Sequence, residues 1–193
     1  MDPKLKVVIR RAVQALRASK ARYAIGGAIA LRAHGIIRET RDLDVFLGDE
    51  SVHAIFESFR RRGFVIEPVH EPIHYWAFLP KYRRHLPYLV VDLLVSESEP
   101  ESSALRSPAR KRVEAWIVPV FPATELAAAK FLDPKGRDDV GRLLSAGLTS
   151  PRKVHAALEE VTAGDAKEFL SWWTKLRAET LARATKRWRR PNR

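Results

Sequence analysis

Residues 23–47, YAIGGAIALRAHGIIRETRDLDVFL, decide how this chain folds. Tyr23-Ala24-Ile25 reads as a short strand and Ala28–His34 as one or two helical turns, with Gly35 placed to cap them in the left-handed conformation. Leu43–Leu47 is a second strand of β-branched and aliphatic residues, bounded by Gly48. A glycine pair, Gly26-Gly27, between strand and helix lets backbone N–H groups approach a phosphate. Side chains alternate along a strand, so Asp42 and Asp44 share one face while Leu43 and Val45 enter the core on the other. Two carboxylates beside a phosphate cradle point to a divalent-metal site for a nucleoside triphosphate.

The pattern Gly-Gly, short helix, His34-Gly35, Arg38, Thr40, Asp42-x-Asp44 resembles the nucleotidyltransferases of the polymerase-β-like superfamily. Within it the chain looks most like the compact bacterial group that includes AbiEii-type and related tRNA-modifying toxins. Asp92 in the run LVVDLLV and the segment ELAAAKFLDPKGRDDVGRLL also match, so the likeness spans about Tyr23 to Leu144. The family more often has Gly-Ser where this chain has Gly26-Gly27, which keeps the backbone cradle and drops a hydroxyl.

The resemblance implies an α+β fold, a small mixed sheet flanked by helices and followed by a helical C-terminal half. Residues 1–121 would form the catalytic region, and 122–193 a helical region that completes the site and carries a basic tail. It implies further that Lys130 reaches the triphosphate and that a nearby acid supports the site. Asp139 suits that place better than Asp138, because Leu143 then falls where the family's next helical leucine does.

Nucleotidyl transfer uses two divalent ions, one activating the attacking hydroxyl and one holding the leaving pyrophosphate. Magnesium, or manganese in its place, takes oxygen ligands. Asp42, Asp44 and Asp92 are therefore the expected metal residues, since an acid within VVDLLV is costly to bury without a cation or hydrogen-bond partners. Asp92 would also help deprotonate the acceptor. Gly26, Gly27, Arg38, Thr40, Lys130 and Asp139 make up the expected nucleotide set. For Arg38 two readings stay open, a bidentate phosphate contact or a structural ion pair. His34 reads as a helix-end residue. His70 and His74 have zinc-like spacing, but Pro72 between them removes the helix that would present both on one face.

Charge locates the partner. Of the net +12, Met1–Arg22 contributes +6 and Lys175–Arg193 contributes +7, leaving the middle at −1. Basic ends around a near-neutral centre favour a polyanion such as RNA, and the family likeness implies a tRNA 3′ end in a toxin–antitoxin or phage-defence setting, with an antitoxin partner. In the tail, Arg183, Lys186, Arg187, Trp188, Arg189 and Arg190 would stack on a base and hold phosphates. Solvated helix faces would give the same charge pattern. Transfer to an antibiotic, AMP transfer to a protein, and an inactive nucleotide- or RNA-binding module are the alternatives. The absence of cysteine fits the cytoplasm, no apolar run is long enough to span a bilayer, and the start MDPKLKVVIRR lacks the apolar core of a secretion signal.

The remaining elements follow from periodicity. Leu5, Val8, Ile9, Ala12, Val13 and Leu16 predict a helix packed on the sheet, and Val52–Arg62 a second one. Strands are expected at 64–67 and 74–79, separated by Pro68 and Pro72, and at 88–95, with a mobile loop at Ser96–Pro108 and one more strand within Val113–Val120 that Pro119 and Pro122 end. Helices follow from Thr124, Arg137 and Ser150-Pro151, and a last one opens with an Asp165/Glu168 capping box and buries Trp172 and Trp173.

Overall fold

The computed structural model describes the backbone of residues 1–188 and the side chains of residues 1–180. Seven strands form one mixed sheet: β1 (Tyr23–Ile25), β2 (Asp42–Leu47), β3 (Val65–His70), β4 (His74–Phe78), β5 (Val90–Val95), β6 (Ala109–Val113) and β7 (Trp116–Val120). Their order across the sheet is β3-β4-β5-β2-β1-β7-β6. The pairs β2–β5 and β1–β7 are parallel and the rest antiparallel. All seven precede Pro122, and every regular element described after it is a helix.

Helix α1 (Pro3–Ser19) buries Leu5, Val8, Ile9, Ala12, Val13 and Leu16, the stripe its spacing foretold, against β5 and against α3 (Val52–Arg60). Asp2 starts it, its Oδ1 accepting from the Lys4 N–H at 2.7 Å. Between β1 and β2 lies α2 (Gly27–Ala33), and Gly35 follows it with φ +90°.

Four expectations need correction. The stretch Ser96–Pro108 is not a loop: it holds α4 (Glu99–Arg106), which buries Ala104 and Leu105. The Glu101 carboxylate reaches back to the Ser98 N–H at 3.1 Å, a capping-box contact that composition had hidden. Pro68 does not end a strand, because β3 lies at the sheet edge and its register shifts between Pro68 and His70. Val113–Val120 is not one strand but the end of β6, a turn with Glu114 at φ +52°, and β7. Pro119 sits inside β7, opposite Arg110 of β6, and β7 pairs with β1 only through Ile25–Val120.

The helical half comprises α5 (Ala123–Leu132), α6 (Arg137–Ser145), α7 (Pro151–Glu159) and α8 (Ala163–Trp188). The fourth correction is the start of α8. Thr162 caps it, accepting from the Asp165 N–H at 3.1 Å, and Glu168 instead pairs with Arg137. Phe131, Phe169 and Trp172 meet with ring centroids 5.3–5.9 Å apart, which joins α5 to α8.

Candidate active site

The site grows from the β1–α2 turn. The Gly26 N–H donates to the Asp44 carbonyl at 3.0 Å, tying the glycine pair to β2. Gly27 has φ +55°, and a Cβ built there would overlap the Asp44 carboxylate. The serine that the family more often carries has no room in this arrangement. Gly26, the N-cap of α2, offers no side-chain cap to its first N–H groups.

Along β2 burial alternates, with Leu43, Val45 and Leu47 fully buried and Asp42, Asp44 and Phe46 on the more open face. Strand β5 runs parallel beside it, and Asp44 is the registered partner of Asp92. Partners in register project to the same side, so the three carboxylates share one face. Burial and crowding together act on Asp44 and Asp92. Burial, then Asp42 and Asp92, push Asp44 up to about 7, with Lys130 opposing. Burial also raises Asp92, against the hydrogen bond from His74.

Two of these acids are already held. The Asp92 Oδ1 accepts from His74 Nε2 at 2.7 Å and from Trp76 Nε1 at 2.9 Å. The Asp42 Oδ1 accepts from the Thr40 hydroxyl at 2.7 Å. Among the described residues no three acids or histidines close into a ready-made ligand shell. The donor set nonetheless fits divalent magnesium or manganese. All three groups are hard carboxylate oxygens, and burial and crowding raise the pKa of Asp44 and Asp92, which a bound cation would lower.

A cleft of about 720 Å³ opens over this face. It is lined by Asp42, Asp44, Thr40, Arg38 and Lys130, by Ala28 of α2, by the first residues of α1, and by His85, Tyr88 and Leu89. Asp92, beside Asp44 on β5, is not among the residues that line it. Lys130, half-buried on α5, comes from the helical half. Asp139 of α6 is buried and pairs with Arg38, while Asp138 is exposed. The ion-pair reading of Arg38 is therefore the one realised, although its side chain still borders the cleft. His34 ends α2, and its Nε2–H donates to the Phe121 carbonyl at 2.8 Å. Burial lowers its pKa, consistent with a neutral imidazole in a structural role.

Of the proposed tail, Arg189 and Arg190 lie outside the described residues, as do the side chains of Arg183, Lys186, Arg187 and Trp188 on α8. Sequence reasoning missed His74 and Trp76 as partners of Asp92. Their signal was slight, two alternate positions on β4 that the register sets against β5.

No protein-family model matches the chain, and no curated protein sequence matches it significantly. Solved structures do. ANT(2'')-Ia in complex with adenylyl-2''-tobramycin superposes with a TM-score of 0.59 at 15% identity, over 87% of this chain and 98% of that one. A nucleotidyltransferase from Thermotoga maritima gives 0.54 at 14%, over 77% and 94% respectively. An antigenic nucleotidyltransferase-like protein from Paracoccidioides brasiliensis gives 0.53 at 16%, over 94% and 92%. At such identities the likeness extends to the fold, which is that of the nucleotidyltransferases.

Proposed function

We propose that this chain is a metal-dependent nucleotidyltransferase, moving a nucleoside monophosphate from a nucleoside triphosphate to an acceptor hydroxyl. The observation that carries it is the side-by-side placement of Asp44 and Asp92, with Asp42 on the same face, against the Gly26-Gly27 turn and Lys130. Asp42, Asp44 and Asp92 would hold two magnesium ions. When bound, these supply charge neutralisation and a more acidic acceptor hydroxyl.

The residues of the chain divide the remaining work. Gly26 and Gly27 offer backbone N–H groups to the triphosphate, and Lys130 adds a positive charge beside them. Thr40 fixes Asp42 through its hydroxyl, and Asp139 fixes Arg38 at the cleft edge. Asp92, steadied on Oδ1 by His74 and Trp76, takes the acceptor proton. The acceptor oxygen then bonds to the α-phosphorus, the α–β phosphoanhydride bond breaks, and pyrophosphate carries away the electron pair. Residues 1–121 supply the carboxylates and the turn, while 122–193 supplies Lys130 and Asp139, so both halves serve one site.

For the acceptor we favour RNA, as the AbiEii-type resemblance and the basic chain ends support. A tRNA 3′ end and a partner antitoxin belong to that reading. ANT(2'')-Ia carries a modified aminoglycoside, which raises the rival of a cationic drug. The acids bordering this cleft argue against it. Asp42 and Asp44 belong to the metal set and Asp2 caps α1, which leaves Glu39 among the lining residues to meet a polycation.

One incubation tests the proposal. The protein is mixed with each labelled nucleoside triphosphate, magnesium, and total RNA, protein or aminoglycosides, beside an Asp44→Ala control. Label entering the tRNA band and vanishing in the variant is the expected result. Label in drug or protein alone would overturn the acceptor, and label in none would overturn the transferase.

A further inference from the structure

Where β2 and β5 begin, two side chains that the carboxylate chemistry does not use stand at the cleft. Arg41 immediately precedes Asp42, and Tyr88 lies two residues before β5. The Arg41 guanidinium sits over the Tyr88 ring, 4.7 Å from its centroid. Both side chains are exposed, Tyr88 at 47%. The backbone beneath them is fixed: the Leu89 N–H donates to the Arg41 carbonyl at 2.7 Å, and the Tyr88 N–H to the His85 carbonyl at 2.7 Å. An aromatic ring and a cation are thus presented together at the edge of a polar cleft on a braced turn.

Their side of the cleft matters. The glycine turn follows β1, which flanks β2 on one side, whereas Tyr88 leads into β5, which flanks it on the other. Asp42 and Asp44 on β2 therefore lie between the glycine turn and Tyr88, with Arg41 directly before Asp42. A group resting on the pair enters from the side of β5, the strand that carries Asp92.

We infer that Arg41 and Tyr88 form the acceptor subsite, a stacking platform for the unpaired 3′-terminal base of an RNA strand. This rests on the transferase reading above and specifies the acceptor for it. An aromatic face accepts any base, and the guanidinium adds both cation–π attraction and a phosphate contact. A base stacked there keeps its ribose at the strand starts, where Asp42 begins β2. The subsite explains how a single strand end would be held at the chemistry.

The test compares binding of short single-stranded oligoribonucleotides to the full chain by fluorescence anisotropy. One ends in adenosine and one in an abasic 3′ residue, with Mg-bound non-hydrolysable ATP analogue measured in parallel. The wild type should bind the intact end about 5- to 100-fold more tightly than the abasic end. Tyr88→Ala should erase that difference, Tyr88→Phe should keep it, and neither should change affinity for the ATP analogue. Equal binding of intact and abasic ends by the wild type would overturn the platform without any variant. Weaker ATP-analogue binding by Tyr88→Ala, with RNA binding unchanged, would reassign the pair to the incoming nucleotide and leave the transferase standing. Wild-type protein that labels drug or protein but never RNA would remove the RNA acceptor, and the platform with it.

Discussion

Asp44→Asn should make the metal-free protein more stable at pH 8 while abolishing transfer. In the unfolded chain an aspartate titrates near 3.9, and in the fold Asp44 is pushed up to about 7 by burial and by Asp42 and Asp92. A group raised in this way contributes stability that is whole below about pH 4 and is lost as pH climbs through about 7. Three pH units correspond to an upper limit of about 4 kcal/mol. Because the side chain is only part-buried at the cleft, screening by water reduces this to about 1–3 kcal/mol. Asparagine has the shape of the neutral acid and removes the repulsion. For a chain of this size the gain corresponds to a rise in Tm of about 3–10 °C at pH 8 in EDTA. At pH 5 the folded Asp44 is protonated but the unfolded aspartate is already mostly ionised, so the same substitution should still give about a third of that gain, about 1–3 °C. Thermal unfolding at the two pH values, with and without magnesium, reads all of this, and magnesium should stabilise wild type at pH 8 but not the variant. Equal shifts at pH 5 and pH 8, or a lower Tm for the variant at pH 8, would refute the account of three crowded carboxylates.

Three further outcomes are expected. Gly27→Ala should cost about 2–4 kcal/mol in denaturant unfolding, because its Cβ meets the Asp44 carboxylate at a positive φ. Gly35→Ala, with open space around it, should cost only about 1 kcal/mol. Arg38→Ala should destabilise by about 3 kcal/mol, since it strands the buried Asp139, and adding Asp139→Leu should recover most of the loss in chemical denaturation. Lys130→Ala should raise the KM for the nucleoside triphosphate about 10-fold or more in steady-state assays and lower the metal-free thermal midpoint at pH 8, since the ammonium offsets the charge on Asp44.

Much of the framework was legible because it is local. Alternation along Asp42–Leu47, the glycines around α2 and the stripe of α1 are each fixed by neighbours in sequence. What stayed hidden depends on pairing across distance. Nothing near His74 announces that it will donate to Asp92, 18 residues on; the β4–β5 register creates that contact. Arg38 could not be resolved between phosphate and carboxylate until α6 delivered Asp139 to it. Pro68 and Pro119 misled for the converse reason, because a missing N–H matters only where a partner strand needs it, and an edge position or a single-pair ladder does not. The helix at Glu99–Arg106 shows local signals in conflict: serine, proline and glutamate suggest a loop, but in the order Ser98, Pro100, Glu101 they start a helix.

The same long-range contacts explain why the helical half belongs to the site. The segment after α2 carries Arg38, Thr40 and Arg41 into β2, and it has no strand or helix of its own. Its conformation is held from outside: Arg32 of α2 donates to the Arg38 carbonyl at 3.1 Å, Arg142 of α6 donates to the Ile37 carbonyl at 3.4 Å, and Asp139 pairs with Arg38. Two of those three ties come from α6. The position of Asp42, which opens β2 directly after this segment, is therefore set partly by residues about a hundred positions downstream. A loop with few intrinsic preferences is precise only when independent elements brace it. In this fold, α6 braces the approach to the first carboxylate while α5 contributes the lysine beside the second, so displacement of either helix would disturb the charge balance at Asp44.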